Sequence, residues 1–446
     1  MMGTVYSGHV TVPLNAVASK SNLKYAIQNA DVKVIFVSEN YLELISEILS
    51  DIDFPIQTIA VDYKCGIEGA EDIPGKSGQF ESPVSPDFPA MILHTSGTVG
   101  LPKGAVLTHK NLIAGGRNVE VAHGLNADDR AYCVLPLYHI NGEVVTCVTQ
   151  LVTGSSVVMP RKFSRSGFWK QVKKFDCTWV SIVPTMAKYL LDEAHLNNDS
   201  FGTKEYPRLR FGRSASSAMP AGMLVDFEET FGIPMIETMG LTETAAPILS
   251  NPMPPGKRLP GSVGIPFGNE VKVVDDAGLE VSDNEVGEFF IKGENVIAKY
   301  YKDLKATRSS FTEDGWFKTG DRGYRNAEGY HFVTGRSKEL IIKGGENISP
   351  REIDDVLYHH SAIREAGAFG YPDEDYGQVV AVAVVVKEGF ECTPEELIDF
   401  CIQKLGKFRS PSRLFFVDDL PKGPSGKIQR LKVAELLIQQ NGGSST

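Results

Sequence analysis

The ten residues TSGTVGLPKG at positions 95–104 hold three glycines, three hydroxyls and one lysine. Glycine frees backbone amides to turn inward, hydroxyls donate, and lysine adds positive charge, so this composition suits a loop wrapped around phosphate. It is not a Walker A loop. Counted from Gly97, the second glycine of that motif would be Pro102, and the Ser or Thr after Lys103 would be Gly104. For the stretch alone, a flexible linker is the plainer alternative. Farther on, Glu237-Thr238-Met239-Gly240-Leu241-Thr242-Glu243 sets a hydroxyl beside a carboxylate. Such a pair can serve a phosphate oxygen and its metal together, although Leu-Thr-Glu-Thr by itself reads as an ordinary turn.

Elements must position these residues. An apolar, strand-like run at 90–93 precedes the loop, and 105–109 reads as the start of a helix after it. From residue 90 to about 240, apolar runs alternate with amphipathic ones: 131–137 then 144–151, 156–159 then 167–175, 178–183 then 185–194. That alternation predicts βαβ units and a largely parallel sheet. Between 261 and 332 the texture is of hairpins, with turns at Asp-Asp-Ala-Gly and Asn-Ala-Glu-Gly. After Gly335-Arg336-Ser337-Lys338 it changes again. Ser349-Pro350-Arg351-Glu352 has the form of a capping box with proline at the first helical position, predicting a helix to about His359. Thr393-Pro394-Glu395-Glu396 repeats it for a helix ending near Leu405, and the run 379–386 reads as a buried strand. The expected fold class is α/β. A large N-terminal domain of βαβ-type sheets with a β-rich subdomain spans 1–335, a hinge 336–338, and a small mobile α+β C-terminal domain 339–446.

The 446 residues, 42% apolar and 23% charged, suit a globular protein of more than one domain. A net charge of -11 argues against broad attraction to nucleic acid or anionic membrane, while a few local cations still suffice for an anionic substrate. The six cysteines form no CxxC pair, and the longest apolar run, 379–386, is too short to span a bilayer. No leader or peroxisomal ending is apparent, so a cytoplasmic protein is expected.

Five motifs in order resemble those of the adenylate-forming superfamily: acyl- and aryl-CoA synthetases, luciferases, and peptide-synthetase adenylation domains. The loop is the first. The resemblance implies that Thr95, Ser96, Gly97, Thr98 and Gly100 surround the β- and γ-phosphates of ATP while Lys103 supplies charge. In the second motif Met239 lies against adenine with Gly240 beside it in the ATP-binding stretch, Thr242 meets the α-phosphate and Glu243 carries Mg²⁺. Gly315-Trp316-Phe317-Lys318-Thr319-Gly320-Asp321 is similar to the third, whose Asp321 accepts from both ribose hydroxyls; a carboxylate has one oxygen for each. In the fourth, Arg336 reaches ribose or phosphate, Lys338 is the pivot, and Gly344-Gly345 line the tunnel for the coenzyme A thiol. In the last, Pro421-Lys422-Gly423-Pro424-Ser425-Gly426-Lys427, the lysine Lys427 meets carboxylate and α-phosphate. Any one lysine alone would be read as a surface group.

The resemblance thus implies an AMP-forming acyl-CoA synthetase that uses ATP, Mg²⁺ and coenzyme A. The small domain would rotate about Lys338 between adenylation and thioester formation. With no carrier domain after Lys427, a free-standing ligase is expected over a peptide-synthetase module. The acid pocket would be lined by His139, Ser214, Ala215, Ser216 and Ala245, with His139 gating it or merely packed at a strand end. Arg213-Ser214-Ala215-Ser216, with Ser250-Asn251-Pro252 and Pro260-Gly261-Ser262-Val263-Gly264, resembles the oxalyl-CoA synthetase branch. This sets oxalate or another small dicarboxylate beside a fatty or aryl acid. Arg213 or His139 would pair with the second carboxylate; the alternative for Arg213 is a structural role beside a sheet edge. Superfamily members carry a segment before the Val10-Thr11-Val12-Pro13-Leu14 strand that this chain is expected to lack. That gives a rival of another class, a truncated or inactive nucleotide-binding relative, against which every chemistry-bearing motif position is filled.

Overall fold

Residues 1–62, 66–67, 84–95, 102–197, 206–423 and 427–441 are described by the computed structural model. Pro89–Thr95 and Lys103–Thr108 pair as an antiparallel hairpin with Thr95 opposite Lys103. The phosphate-type loop therefore joins two strands, and the helix expected from 105 starts only at His109. Ala105, Val106 and Leu107 are buried by pairing with Leu93, Ile92 and Met91, which favours strand over helix there. Thr108 then caps the helix His109–His123, exchanging hydrogen bonds with Asn111 in a capping box. The strand expected at 10–14 shrinks to one bridge, Thr11 with Met91. Pro13 has no N–H with which to extend it.

A seven-stranded sheet follows in the order Ile265–Pro266, Ala246–Ser250, Met235–Leu241, Phe211–Ser214, Trp179–Ile182, Arg130–Cys133, Ser156–Val158. From Met235–Leu241 to Ser156–Val158 neighbours run parallel, as the βαβ alternation predicts. The helices Phe168–Lys174, Pro184–Asn197 and Ala221–Phe231 supply one covering layer, where Phe168, Leu190 and Phe227 bury against Val180 and Ile182. Because these strands are parallel, their C-terminal ends share one edge of the sheet. In open α/β sheets ligands gather in the crevice along that edge.

The β-rich region is an antiparallel sheet of Glu270–Val274, Gly287–Lys292, Phe317–Arg325 and His331–Arg336, in that order. Beyond it, Ile363–Asp373 and Gly377–Val386 anchor a five-stranded sheet. The valines explain this strand's continuous apolar run. Val380, Val382 and Val384 face one core with Ile353 and Leu397, while Ala381, Ala383 and Val385 face another with Leu420 and Val433. Each fully buried valine contributes about 1.5 kcal/mol or more. The helices Pro350–Tyr358 and Pro394–Leu405 start where predicted. Only Thr393 caps with its side chain, accepting from Glu396 N; the expected Ser349 box does not form, because Ser349 Oγ donates instead to Thr334 O. With Arg351 Nη1 to Val333 O at 2.6 Å, that contact ties this region to the strand His331–Arg336. Among the described residues no helix is long and apolar enough to cross a membrane.

Candidate active site

Three chemistry-bearing stretches lie at or just beyond C-terminal ends of parallel strands: His139 six residues after the end of Arg130–Cys133, Ser214–Ser216 at the end of Phe211–Ser214, and Thr242–Ala245 after Met235–Leu241. The hairpin brings Thr95 and Lys103 to the same crevice. Ser96, Gly97, Thr98 and Gly100 lie outside the described residues.

A segment that no motif includes joins the hairpin to the last of these stretches. Residues 297–301 run between the hairpin and the Thr242-Glu243 turn. Tyr301 N donates to Gly104 O at 2.7 Å, Val106 N to Lys299 O at 3.2 Å, and Ile297 N to Glu243 O at 2.8 Å. Within it, the Tyr300 hydroxyl donates to Glu243 Oε1 at 2.8 Å, and Lys103 Nζ sits 5.0 Å from the Tyr300 ring centre. Tyr300 was not legible as a functional residue. Its signal, an aromatic pair in an otherwise strand-like run, is weak, and its partners are far away in sequence.

The turn itself is tightly held. Thr244 Oγ1 accepts from Leu241 N at 3.0 Å, and Asn295 Nδ2 donates to Thr244 O at 2.5 Å. Ala245 takes φ 54°, and a Cβ on Gly115 would lie 2.6 Å from Ala245 O, so only glycine allows that approach. Thr242 and Glu243 stay half-buried. Met239 packs with Ile248, Leu249 and Val263 and is 9% exposed, so contact with adenine would use its remaining free surface. Gly240 stands at the bulge after Met239.

Asp321 and Arg336 face each other across the antiparallel pair, with Arg336 Nε 2.8 Å from Asp321 Oδ1. Asp321 Oδ1 accepts from Arg336 and keeps further acceptor capacity, and the buried Oδ2 lacks a partner among the described residues. Asp321 holds the Arg336 guanidinium above its ordinary pKa. Lys427 lies within electrostatic reach of the same pair. Burial, together with Arg336 and Arg430, pushes its ammonium down, while Glu339 and Asp321 pull it up. Lys338 is exposed in the turn just beyond Arg336. Gly344 and Gly345, at φ 58° and 87°, form the exposed turn between Ile341–Lys343 and Glu346–Ile348. Beside it Lys343 lies 4.8 Å from the Phe408 ring centre and 5.6 Å from that of Tyr376, a cluster the sequence did not single out.

Arg213 departs most from its expected setting. It is on an inner strand rather than at a sheet edge, and only 2% exposed. Nη1 donates to Asn141 Oδ1 at 2.6 Å and to Ser181 Oγ at 3.3 Å, while Nε has no partner among the described residues. No carboxylate among them pairs with it, and burial pushes its pKa down to about 9. Ser214 is fully buried with its hydroxyl unpartnered among the described residues, Ala215 is buried, and Ser216 is exposed at φ 73°. His139 packs against Tyr138 with its Nε2 unpartnered among the described residues, and burial holds its pKa below the ordinary value.

A divalent cation fits this chemistry. Glu243 has one oxygen on Tyr300 and the other without a partner among the described residues. No three metal-type side chains gather there among the described residues, so phosphate and water would complete the shell, as is usual for Mg²⁺.

Comparison with known proteins agrees with this geometry. Residues 1–301 match the AMP-binding enzyme family and residues 352–427 its C-terminal domain. The chain is 44% identical over 440 residues to a sulfoacetate–CoA ligase of Cupriavidus necator, covering 97% of this chain and 84% of that protein. It is 36% identical to an oxalate–CoA ligase of Arabidopsis thaliana, covering 96% and 84%. Its fold superposes on ATP-bound MatB from Rhodopseudomonas palustris with a TM-score of 0.89 at 29% identity, covering 98% of this chain and 85% of that one.

Proposed function

The chain belongs to the AMP-binding enzyme family and is an acid–thiol ligase that works with ATP, Mg²⁺ and coenzyme A; on that premise we propose that its acid is a small one bearing a second anionic group, received by Arg213. The observation that carries this reading is a guanidinium buried at the crevice with no carboxylate beside it among the described residues. Buried charges are ordinarily paired, and an acid with a second carboxylate or a sulfonate would supply the missing partner. The two relatives named above act on sulfoacetate and oxalate, which carry such groups.

In the first half-reaction a carboxylate oxygen of the acid attacks the α-phosphorus. The bond to pyrophosphate breaks and acyl-AMP forms. Both reactants are anionic, so catalysis is mainly positioning and charge stabilisation. Thr95, Lys103 and the loop between them hold the β- and γ-phosphates, Thr242 orients the α-phosphate, and Asp321 with Arg336 holds the ribose. Lys427 spans the attacking carboxylate and the α-phosphate. Glu243 would hold Mg²⁺, which when bound offsets charge on the phosphates. In the second half the thiolate attacks the acyl carbon and AMP leaves. Residues 339–446 then turn about 336–338 relative to 1–335, withdrawing Lys427 and presenting Gly344-Gly345 to the pantetheine arm, a closure that shields the anhydride from water.

The test is acid-dependent AMP release with oxalate, malonate and sulfoacetate against acetate, hexanoate and benzoate. The dianions should be preferred, and Arg213→Met should cost them on the order of a hundredfold in kcat/KM. Undiminished activity of Arg213→Met on dicarboxylates would overturn the reading.

A further inference from the structure

Asn141 opens a π-helical stretch, Asn141–Val148, and such turns recur at functional sites. Its position is tightly determined, since a Cβ on Gly142 would lie 2.4 Å from Pro136 O. Its amide is oriented by its partners: Oδ1 faces Arg213 Nη1 at 2.6 Å and Ser181 Oγ at 3.3 Å, and Nδ2 donates to Ser216 Oγ at 3.3 Å. The amide therefore joins Arg213 to the strand-end turn expected to border the acid.

We propose that Asn141 is a specificity-determining residue: a neutral amide at this position holds the Arg213 guanidinium in place without neutralising it, so that its charge stays available to a second anionic group on the acid. This rests on the reading that Arg213 receives that group. The other polar neighbours leave the charge unmatched as well. Ser181 is a hydroxyl, and the fully buried His123, which feels Arg213, is held neutral because burial lowers its pKa to about 3. An aspartate has almost the shape of asparagine. At position 141 it would set a full negative charge at the 2.6 Å contact, and an arriving dianion would meet a neutral pair.

The experiment compares kcat/KM for malonate and propionate, acids of similar length, in Asn141→Asp, Asn141→Ala and Arg213→Met, with thermal unfolding as a check on folding. Asn141→Asp should lower the malonate-to-propionate ratio on the order of a hundredfold, matching Arg213→Met. Asn141→Ala removes the hydrogen bond that Asn141→Asp keeps and adds no charge, and should lower both acids together with the ratio within roughly threefold of the unsubstituted chain. If Arg213→Met lowers the ratio but Asn141→Asp gives the same ratio as Asn141→Ala, Asn141 is merely structural and the inference falls. An unchanged ratio in Arg213→Met overturns the reading of Arg213, and this inference with it.

Discussion

Tyr300→Phe removes one oxygen and keeps the ring near Lys103. That hydroxyl donates at 2.8 Å to Glu243 Oε1. Burial, with Glu243 beside it, pushes the phenol well above the ordinary tyrosine range, so it stays protonated and donating at any working pH. Loss of a hydrogen-bonding partner behind a metal-holding side chain typically costs about 10–100-fold in metal affinity, because the ligand loses its orientation. Glu243 is half-buried, so water can replace part of the loss, which selects the lower end. Roughly tenfold in an equilibrium constant corresponds to about 1.4 kcal/mol. The variant should therefore need about ten times more Mg²⁺ for half-maximal AMP release at saturating acid and ATP, with the KM for acid unchanged. A Mg²⁺ requirement within about twofold of the unsubstituted chain would refute the role given to this contact.

Lys427→Ala should lower adenylation at least on the order of a hundredfold, as for loss of one charge-stabilising donor, yet spare thioester formation from supplied acyl-AMP; single-turnover assays of each half-reaction check this, and equal losses would contradict the division of labour. Asp129 provides a test of stability against pH. It is 3% exposed, both oxygens lie 2.7 Å from Arg210 Nη1, and Thr178 Oγ1 donates to it at 2.6 Å. Burial raises its pKa, but the hydrogen bonds from Thr178 and Arg210 outweigh that and leave it below 3.8. A depressed carboxylate stabilises the fold fully above its unfolded pKa and loses that contribution as pH falls through the folded one. The unfolding midpoint should therefore fall below about pH 4, and Asp129→Asn should flatten that part of the profile while costing about 3 kcal/mol at pH 7.

The sheet alternation, the hairpin turns and the helix starts at Pro350 and Pro394 were legible because each is a local pattern of period, turn residue or cap. The failures have local causes too. Residues 105–108 looked helical because Thr108, His109 and Lys110 do begin a helix, and the three buried residues before them are too few to declare a strand until pairing with 91–93 is known. Ser349 has the right spacing for a cap, yet Thr334 O, 15 residues earlier, claims its hydroxyl. The site residues came from five motifs, whereas their supports were invisible. Tyr300 meets Glu243 across 57 residues and Arg213 meets Asn141 across 72, separations at which no periodicity carries information. Arg213 was legible as a candidate charge, but its inner-strand burial came only from the strand order.

The most direct measurement is acid-dependent exchange of labelled pyrophosphate into ATP, run over small dianionic acids, straight-chain fatty acids and aryl acids, with Lys427→Ala as control. An adenylating enzyme of the proposed specificity gives exchange with the small dianions, little with the others, and none in the control. Absence of exchange with every acid, in a folded chain that still binds ATP, would contradict it.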